Sequence, residues 1–221
     1  MNMRCFIAGA GEYSGSVMPV QGDYVIAADG GYTELVLHGI TPDIVVGDFD
    51  SLEGPPEHPN VLQFPAEKDD TDIMIAIKKG FAEGCNTFII DGGLGGRLDH
   101  TFANFQLLAY ISKNGARGYL LGRDITITAV TNGSISFSPY TAGRISVFSI
   151  GGKAAGLTLT GLKYPLDNAT LTDDYPLGVS NEFTGESASI TVRSGTLIIM
   201  WTGGMDAVES GMGEDNGNRE Y

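Results

Sequence analysis

The chain has 221 residues, 42% hydrophobic and 18% charged, which is enough for one large domain or two small ones with a real core. Its 13 basic residues against 27 acidic ones give a net charge of −14. That balance argues against a nucleic-acid or anionic-membrane surface, since both need a positive field. No stretch is long and apolar enough for a membrane span or a signal peptide. The only two cysteines, Cys5 and Cys85, read as buried reduced thiols, so a cytoplasmic protein is expected.

Residues 3–9, Tyr24–Ala28 and Ile44–Val46 read as buried strands, with a helix over Tyr32–His38 stopped by Gly39. A second helix is expected from Thr71 to Glu83, because Ile73, Ile77 and Phe81 recur at four-residue spacing and Gly84 closes it. Asn86–Ile90 is the next strand. A third helix follows over Leu98–Lys113, ended by Asn114-Gly115, and Tyr119–Leu121 is again a strand. This alternation predicts an α/β N-terminal half with a mostly parallel sheet flanked by helices, covering residues 1–122.

From Arg123 onward the pattern changes to short runs of period two. They are Ile125–Thr128, Ile135–Ser138, Ile145–Ile150, Leu157–Thr160, Ala188–Val192 and Leu197–Trp201, punctuated by glycine. Residues 123–204 are therefore expected to form an all-β sandwich. The polar, acidic segment 205–221 is expected to be disordered.

Three acidic clusters fall where strands end or helices begin: Asp48-Phe49-Asp50-Ser51, Lys68-Asp69-Asp70-Thr71-Asp72, and the run from Asp91 through Gly92, Gly93, Gly95, Gly96 and Arg97 to Asp99-His100. Any one of them alone would pass as a solvated turn. Three between residues 48 and 100 call for a cation among them, and a hard divalent ion such as Mg²⁺ carrying a polyphosphate meets that need. The glycines beside Arg97 permit close backbone approach to phosphate oxygens.

Other readings of these residues are weaker. Gly9-Ala10-Gly11, with Asp29 where a ribose-binding acid would fall, suggests a dinucleotide fold. However, Gly15, Pro19 and Gly22 break the crossover helix that such a fold requires. A glycine loop over a phosphate or base edge stays open. Asp48-Phe49-Asp50 after an apolar strand resembles the nucleophile motif of aspartyl-phosphate phosphatases, but a third strand carries it and Leu52 stands where Thr or Val is usual. Paired metal ligands fit better, because alternate residues of an extended segment point the same way. Asp70 or Thr71 caps the following helix. That role is compatible with phosphate binding at the helix N-terminus. Asp91 can simply finish a strand, whereas Asp99 sits beside Arg97 at a helix start.

Asp29-Gly30-Gly31, Gly47-Asp48-Phe49-Asp50-Ser51, Asp69-x-Thr71-Asp72 and Gly92-Gly93-x-Gly95-Gly96-Arg97-x-Asp99-His100 resemble, in order and spacing, the motifs of thiamine pyrophosphokinases. Gly161–Leu166 and Ser180-Asn181-Glu182 are similar to that family's thiamine-binding stretch. Tyr164 departs from it where many members carry Trp, and Lys68 where some carry Gln. The resemblance implies a two-part fold, a homodimer, and Mg²⁺-dependent transfer of diphosphate from ATP to the thiamine hydroxyl with release of AMP.

On that basis Asp48, Asp50 and Asp72, joined by Asp69 and Asp29, are the expected metal ligands. Gly30, Gly31, Thr71, Gly93, Gly95, Gly96 and His100 are expected around ATP and its phosphates. Lys68 and Arg97 would neutralise developing charge. Asp99 would orient or deprotonate the attacking hydroxyl, two roles that stay open. Tyr164, whose face suits a thiazolium cation, is grouped with Ser180, Asn181 and Asp99 around thiamine. A diphosphokinase acting on a pterin-type alcohol and a non-catalytic Mg-nucleotide sensor are the alternatives.

Overall fold

The computed structural model describes residues 3–15, 18–49, 56–65, 67 and 69–209. In chain order the elements are β1 Arg4–Ala8, β2 Tyr24–Ala28, α1 Gly31–Leu37, β3 Ile44–Gly47, β4 Val61–Gln63, α2 Asp72–Ala82, β5 Thr87–Asp91 and α3 Leu98–Lys113. They continue as β6 Arg117–Gly122, β7 Ile125–Thr131, β8 Ser134–Phe137, β9 Arg144–Ser149, β10 Ala154–Thr160, β11 Leu166–Leu171, β12 Asn181–Glu182, β13 Ala188–Thr191 and β14 Thr196–Thr202. Among the described residues no helix is long and apolar enough to cross a membrane.

Ten strands form one mixed sheet in the order β12-β9-β14-β7-β6-β5-β1-β2-β3-β4, and the other four an antiparallel sheet, β11-β10-β13-β8. From β6 to β4 every pairing is parallel; from β6 to β12 every pairing is antiparallel. The parallel strands are continuous apolar runs such as Cys5-Phe6-Ile7-Ala8, as expected where both faces are covered. On one face Cys5, Ile7, Phe88 and Ile90 pack beneath α2 and α3; on the other Phe6, Ala8, Val25 and Ala27 share a core with Leu35 of α1 and with the second sheet. Cys5 and Cys85 are buried and unbridged.

Helix α2 can lie close to the sheet because residue 80 is glycine. A Cβ there would come within 2.6 Å of the Phe88 ring and 3.0 Å of the Cys5 sulfur. Across the two sheets, the Phe137 and Trp201 rings meet edge to face with centroids 5.3 Å apart. Trp201 is 1% exposed and its indole N–H donates to the Gly204 carbonyl at 2.9 Å.

Several sequence expectations change here. The switch at Arg123 is not a break between sheets: β6 and β7 form a hairpin across it, and α3 packs on β6, β7 and β14 alike. One layer of the expected sandwich is thus an extension of the N-terminal sheet, because antiparallel strands can continue a parallel ladder at its edge. Residues 205–209, placed in the disordered tail, instead form a short 3₁₀ turn at Met205–Ala207 held against β8. There Ser138 N–H donates to Ala207 O and Glu209 N–H to Ser136 O. Strands β4, β11 and β12 were not expected; they are short or lie at sheet edges, where alternation is weak.

Trp201→Ala, which empties the largest fully buried site between the two sheets, should lower unfolding free energy by about 3–5 kcal/mol. Chemical denaturation followed by circular dichroism checks this value.

Candidate active site

Strand order reverses at β1. The chain lays β2, β3 and β4 to one side and then returns to place β5 and β6 on the other. At such a switch point the loops leaving the strand ends part, and a crevice opens at their carboxyl ends. Here the crevice encloses about 330 Å³ and is lined by Ala10, Gly11, Ala28, Asp29, Thr71, Asp72, Ile73, Gly92, Gly93, Leu94, Gly95, Gly96, Arg97, His100 and Asn104.

One wall is a seam of two loops. Beyond the β1–β5 ladder the backbones keep pairing: Gly9 N–H donates to Asp91 O, Gly11 N–H to Gly92 O and Glu12 N–H to Leu94 O, at 2.7, 2.7 and 2.8 Å. Glycine is required at this approach. A Cβ on Gly9 would sit 2.5 Å from Gly92 O, and one on Gly11 would sit 2.3 Å from Leu94 O.

The opposite wall is made by helix starts. Thr71 caps α2, its hydroxyl accepting from Met74 N–H at 3.2 Å, so the first turn of α2 opens on the cleft with Asp72 as its first residue. Arg97 occupies the cap position of α3, and His100 and Asn104 lie on the same helix face. Asn104 is buried and donates from Nδ2 to Gly93 O at 2.6 Å, steadying the glycine run. Asn104 is not among the residues that the sequence motifs single out; its spacing from Arg97 and His100 along one helix face is the signal that marks it.

Asp29 (φ 49) ends β2 and Phe49 (φ 61) follows β3, both in the left-handed region. Non-glycine residues are uncommon there, a bulky Phe above all, and such conformations gather at ligand sites. Asp48, between β3 and Phe49, is half-buried, while Asp69 is exposed in the turn before α2. Asp70 pairs with Lys78 at 2.6 Å. Asp50 and Lys68 lie outside the described residues. Gly30 caps α1, and Gly31 is buried where a Cβ would meet Ala8 O at 2.0 Å. Gly31 is therefore demanded by helix packing on β1 rather than by the cleft.

Asp99 is exposed beside the cleft and paired with Arg97 through Nε at 3.2 Å and Nη2 at 2.6 Å. The guanidinium hydrogen bonds hold its carboxyl down at about 2. Asp91, by contrast, is not part of the lining; it is almost wholly buried behind it.

Among the described residues no three acidic, histidine or cysteine side chains converge on one point. Asp29 and Asp72 nevertheless line the same cleft. Mg²⁺ is usually held by one or two carboxylates together with substrate phosphates, so this donor set fits it.

Tyr164, Ser180 and Asn181 lie elsewhere. Asn181 is buried on β12, accepting from Tyr164 N–H at 2.9 Å and donating to Tyr164 O at 2.8 Å, and so holds the Tyr164 turn. Ser180 (φ 60) donates its N–H to the Ser146 hydroxyl. Tyr164 is 57% exposed, with the Lys163 ammonium 5.5 Å from its ring centroid. Strand β12 is five strand spacings from β5, roughly 24 Å along the sheet.

Helix N-termini, a glycine wall and carboxylates suited to a hard cation are what a polyphosphate needs, so fold and cleft define an α/β protein that handles nucleotide phosphates. Known sequences and structures narrow this class. The profile of the thiamin pyrophosphokinase catalytic domain matches residues 20–120, and that of the thiamin pyrophosphokinase vitamin B1 binding domain matches residues 134–197. The thiamine pyrophosphokinase of Bacillus subtilis is 31% identical over 182 residues, covering 79% of this chain and 85% of that protein. The thiamin pyrophosphokinase 1 of Caenorhabditis elegans is 25% identical over 190 residues, covering 80% and 77%. The crystal structure of the Bacillus subtilis enzyme superposes with a TM-score of 0.79 at 27% identity, over 91% of this chain and 99% of that one. The Candida albicans thiamin pyrophosphokinase shares the fold, with a TM-score of 0.74 at 15% identity over 92% and 90%. The chain belongs to the thiamine pyrophosphokinase family, as its motifs suggested.

The Asp99–Arg97 pair makes a direct prediction. A depressed carboxyl keeps its ion pair above the ordinary carboxylate range and loses it only as pH falls through its own value. A carboxyl-detected NMR titration of Asp99 should have its midpoint near 2, and Arg97→Ala should move it back toward 3.8.

Proposed function

We infer that this chain transfers diphosphate from ATP to the hydroxyl of thiamine, giving thiamine diphosphate and AMP. The observation that carries this reading is the switch-point cleft, where the α2 N-terminus, the glycine seam and Arg97 meet two carboxylates. The thiamine oxygen attacks the β-phosphorus and its proton passes to solvent, the bond from that phosphorus to the α–β bridging oxygen breaks, and AMP departs with that oxygen.

Each part of the cleft has a task in this reaction. Asp29 and Asp72, with Asp48 and Asp69 on the adjoining loops, would hold Mg²⁺, and Asp50, two residues after Asp48 in sequence, is proposed to join them. When bound, the ion supplies neutralisation of the phosphate oxygens and of departing AMP. Thr71 and the N-terminal end of α2, together with Gly93, Gly95 and Gly96, receive phosphate oxygens, with His100 beside them. Gly30 and Gly31 let α1 begin against β1 and so set the position of Asp29. Arg97 and Lys68 add positive charge. A carboxylate held at about 2 is a weak base, so Asp99 is suited to accept a hydrogen bond from the attacking hydroxyl and orient it. The Tyr164 ring, with Ser180 and Asn181 fixing its turn, offers its face to the thiazolium.

Within one chain these two groups stand apart: β12 is five strands from β5, whereas the thiamine hydroxyl must come within about 3–3.5 Å of the β-phosphorus. A homodimer in which one chain supplies the phosphate cleft and its partner supplies Tyr164 resolves the distance. Leu98 and Phe102, 81% and 59% exposed on either side of Asp99, and the apolar groove of Phe102, Phe105, Phe148, Ile198 and Met200 offer a surface for such a partner. A cytoplasmic location agrees with two unbridged cysteines.

Purified protein should release AMP from ATP when thiamine and Mg²⁺ are present. Chelation should stop the reaction, and a pterin alcohol should not replace thiamine; release without any acceptor would instead indicate hydrolysis. Asp72→Ala should abolish turnover with the fold intact, because removing one carboxylate relieves like-charge repulsion in the metal-free protein.

A mixing experiment tests the shared site. Asp72→Ala and Tyr164→Lys, each inactive alone, should recover about a quarter of wild-type activity when exchanged into mixed dimers, since half the dimers then hold one intact site. No recovery, in dimers shown to exchange, would place both groups in one chain.

A further inference from the structure

Asp91 ends β5 and is 1% exposed, a buried carboxylate that the reaction above does not use. An ionised carboxyl is retained in such a place only if it is fully hydrogen-bonded. Its Oδ1 accepts from the N–H groups of Ser14 and Gly92, both at 2.9 Å, and its Oδ2 accepts from the Ser14 hydroxyl at 2.7 Å. Burial pushes its pKa up while these three bonds pull it back, and Glu34 adds repulsion.

Ser14 is itself 8% exposed and stands 77 residues away in sequence, part-way along the loop that leaves β1. That loop forms the seam wall, and Ala10 and Gly11 present it to the cleft. Its near end is pinned by the Gly9 and Gly11 amides and by the Tyr13 hydroxyl on Gly9 O. Gly9, Gly11 and Gly92 carry no side chain here, since any Cβ would collide with backbone, while Tyr13 and Glu12 of the β1 loop pack against Gly92 and Gly95 of the facing one. The charged bonds to Ser14 bring the β1 loop back onto the end of β5, where the seam begins, and add a buried side-chain tie to these contacts.

We propose that Asp91 and Ser14 form a latch that positions the nucleotide, by holding the Ala10–Gly11 wall against the Gly92–Gly96 loop and so fixing the width of the cleft that receives ATP. This rests on the assignment of ATP to that cleft. Asp91 touches neither substrate; it acts through the loop it holds. Releasing the latch leaves the thiamine face, at the other edge of the sheet, untouched.

The test compares Ser14→Ala, Asp91→Asn and the double variant in steady-state kinetics and in titrations of ATP with Mg²⁺ in the absence of thiamine. Each single variant should weaken ATP binding and raise its KM by roughly three- to tenfold, less than the tenfold or more of a lost hydrogen bond to a charged group, because the latch acts on ATP only through the loop it holds. The KM for thiamine and kcat should stay within about twofold, and the double variant should be little worse than the weaker single one, as for two ends of one contact. If Asp91→Asn does not fold, Ser14→Ala carries the test, because it removes a hydroxyl and leaves the amide bond. Unchanged ATP affinity in folded Ser14→Ala, or equal losses for ATP, thiamine and kcat, would overturn the proposal. A wild-type protein that bound ATP but released no AMP with thiamine would overturn the assigned reaction, while the ATP titrations would still read the latch.

Discussion

At Arg123-Asp124 the backbone turns back on itself, and the β6–β7 ladder that results ties the parallel strands to the antiparallel ones in a single hydrogen-bonded plane. Every other arrangement in the protein hangs on that continuity. The plane separates two cores, one beneath α2 and α3 and one shared with α1 and the second sheet. It also sets a fixed distance between the phosphate cleft and the Tyr164 turn. A sheet packed on both faces deforms little, so the separation is not closed by small adjustments within one chain. On the reading argued above, the enzyme accepts this spacing and finds the missing half of its site in a second copy.

The cleft is built largely from backbone. Its walls are glycine loops and a capped helix start, and the side chains that enter it are few: Asp29, Asp72, Arg97, His100 and Asn104 among them. This suits a protein whose net charge is −14, because amide dipoles attract phosphate without altering that balance. Arg97, the one arginine among the described residues lining the cleft, is already engaged with Asp99. A polyphosphate bound there competes for the same guanidinium and would leave the Asp99 carboxylate less tightly held, beside the hydroxyl it is proposed to orient.

Much of the architecture was legible because parallel strands and amphipathic helices carry strong periodic signals. The runs at Cys5–Ala8 and Phe88–Ile90, and the Ile73, Ile77 spacing of α2, led directly to their elements. Strand β4 did not, since it is three residues long and largely exposed, and β11 did not, since its register slips against β10 near Gly156. The motif residues Asp29, Thr71, Asp72 and Arg97 reach one cleft. What no local pattern could reveal was that Arg123 begins a continuation of the same sheet, or that Asp91 grips Ser14. Both depend on partners distant in sequence, and a single carboxylate at a strand end looks the same whether it faces solvent or a buried loop.

Strand β14 lies between β7 and β9, although its residues follow both by dozens of positions. During synthesis the parallel ladder and β7 can therefore form early, but β7 keeps an open edge until Thr196–Thr202 has been made. The same segment brings Trp201, the largest side chain of the inter-sheet core. Closing such non-local pairings is slow, and an unpaired strand edge invites pairing with another chain. A nascent chain interrupted shortly before this strand would thus carry most of the nucleotide cleft on a scaffold prone to self-association, and chaperone dependence should concentrate in that late interval of synthesis.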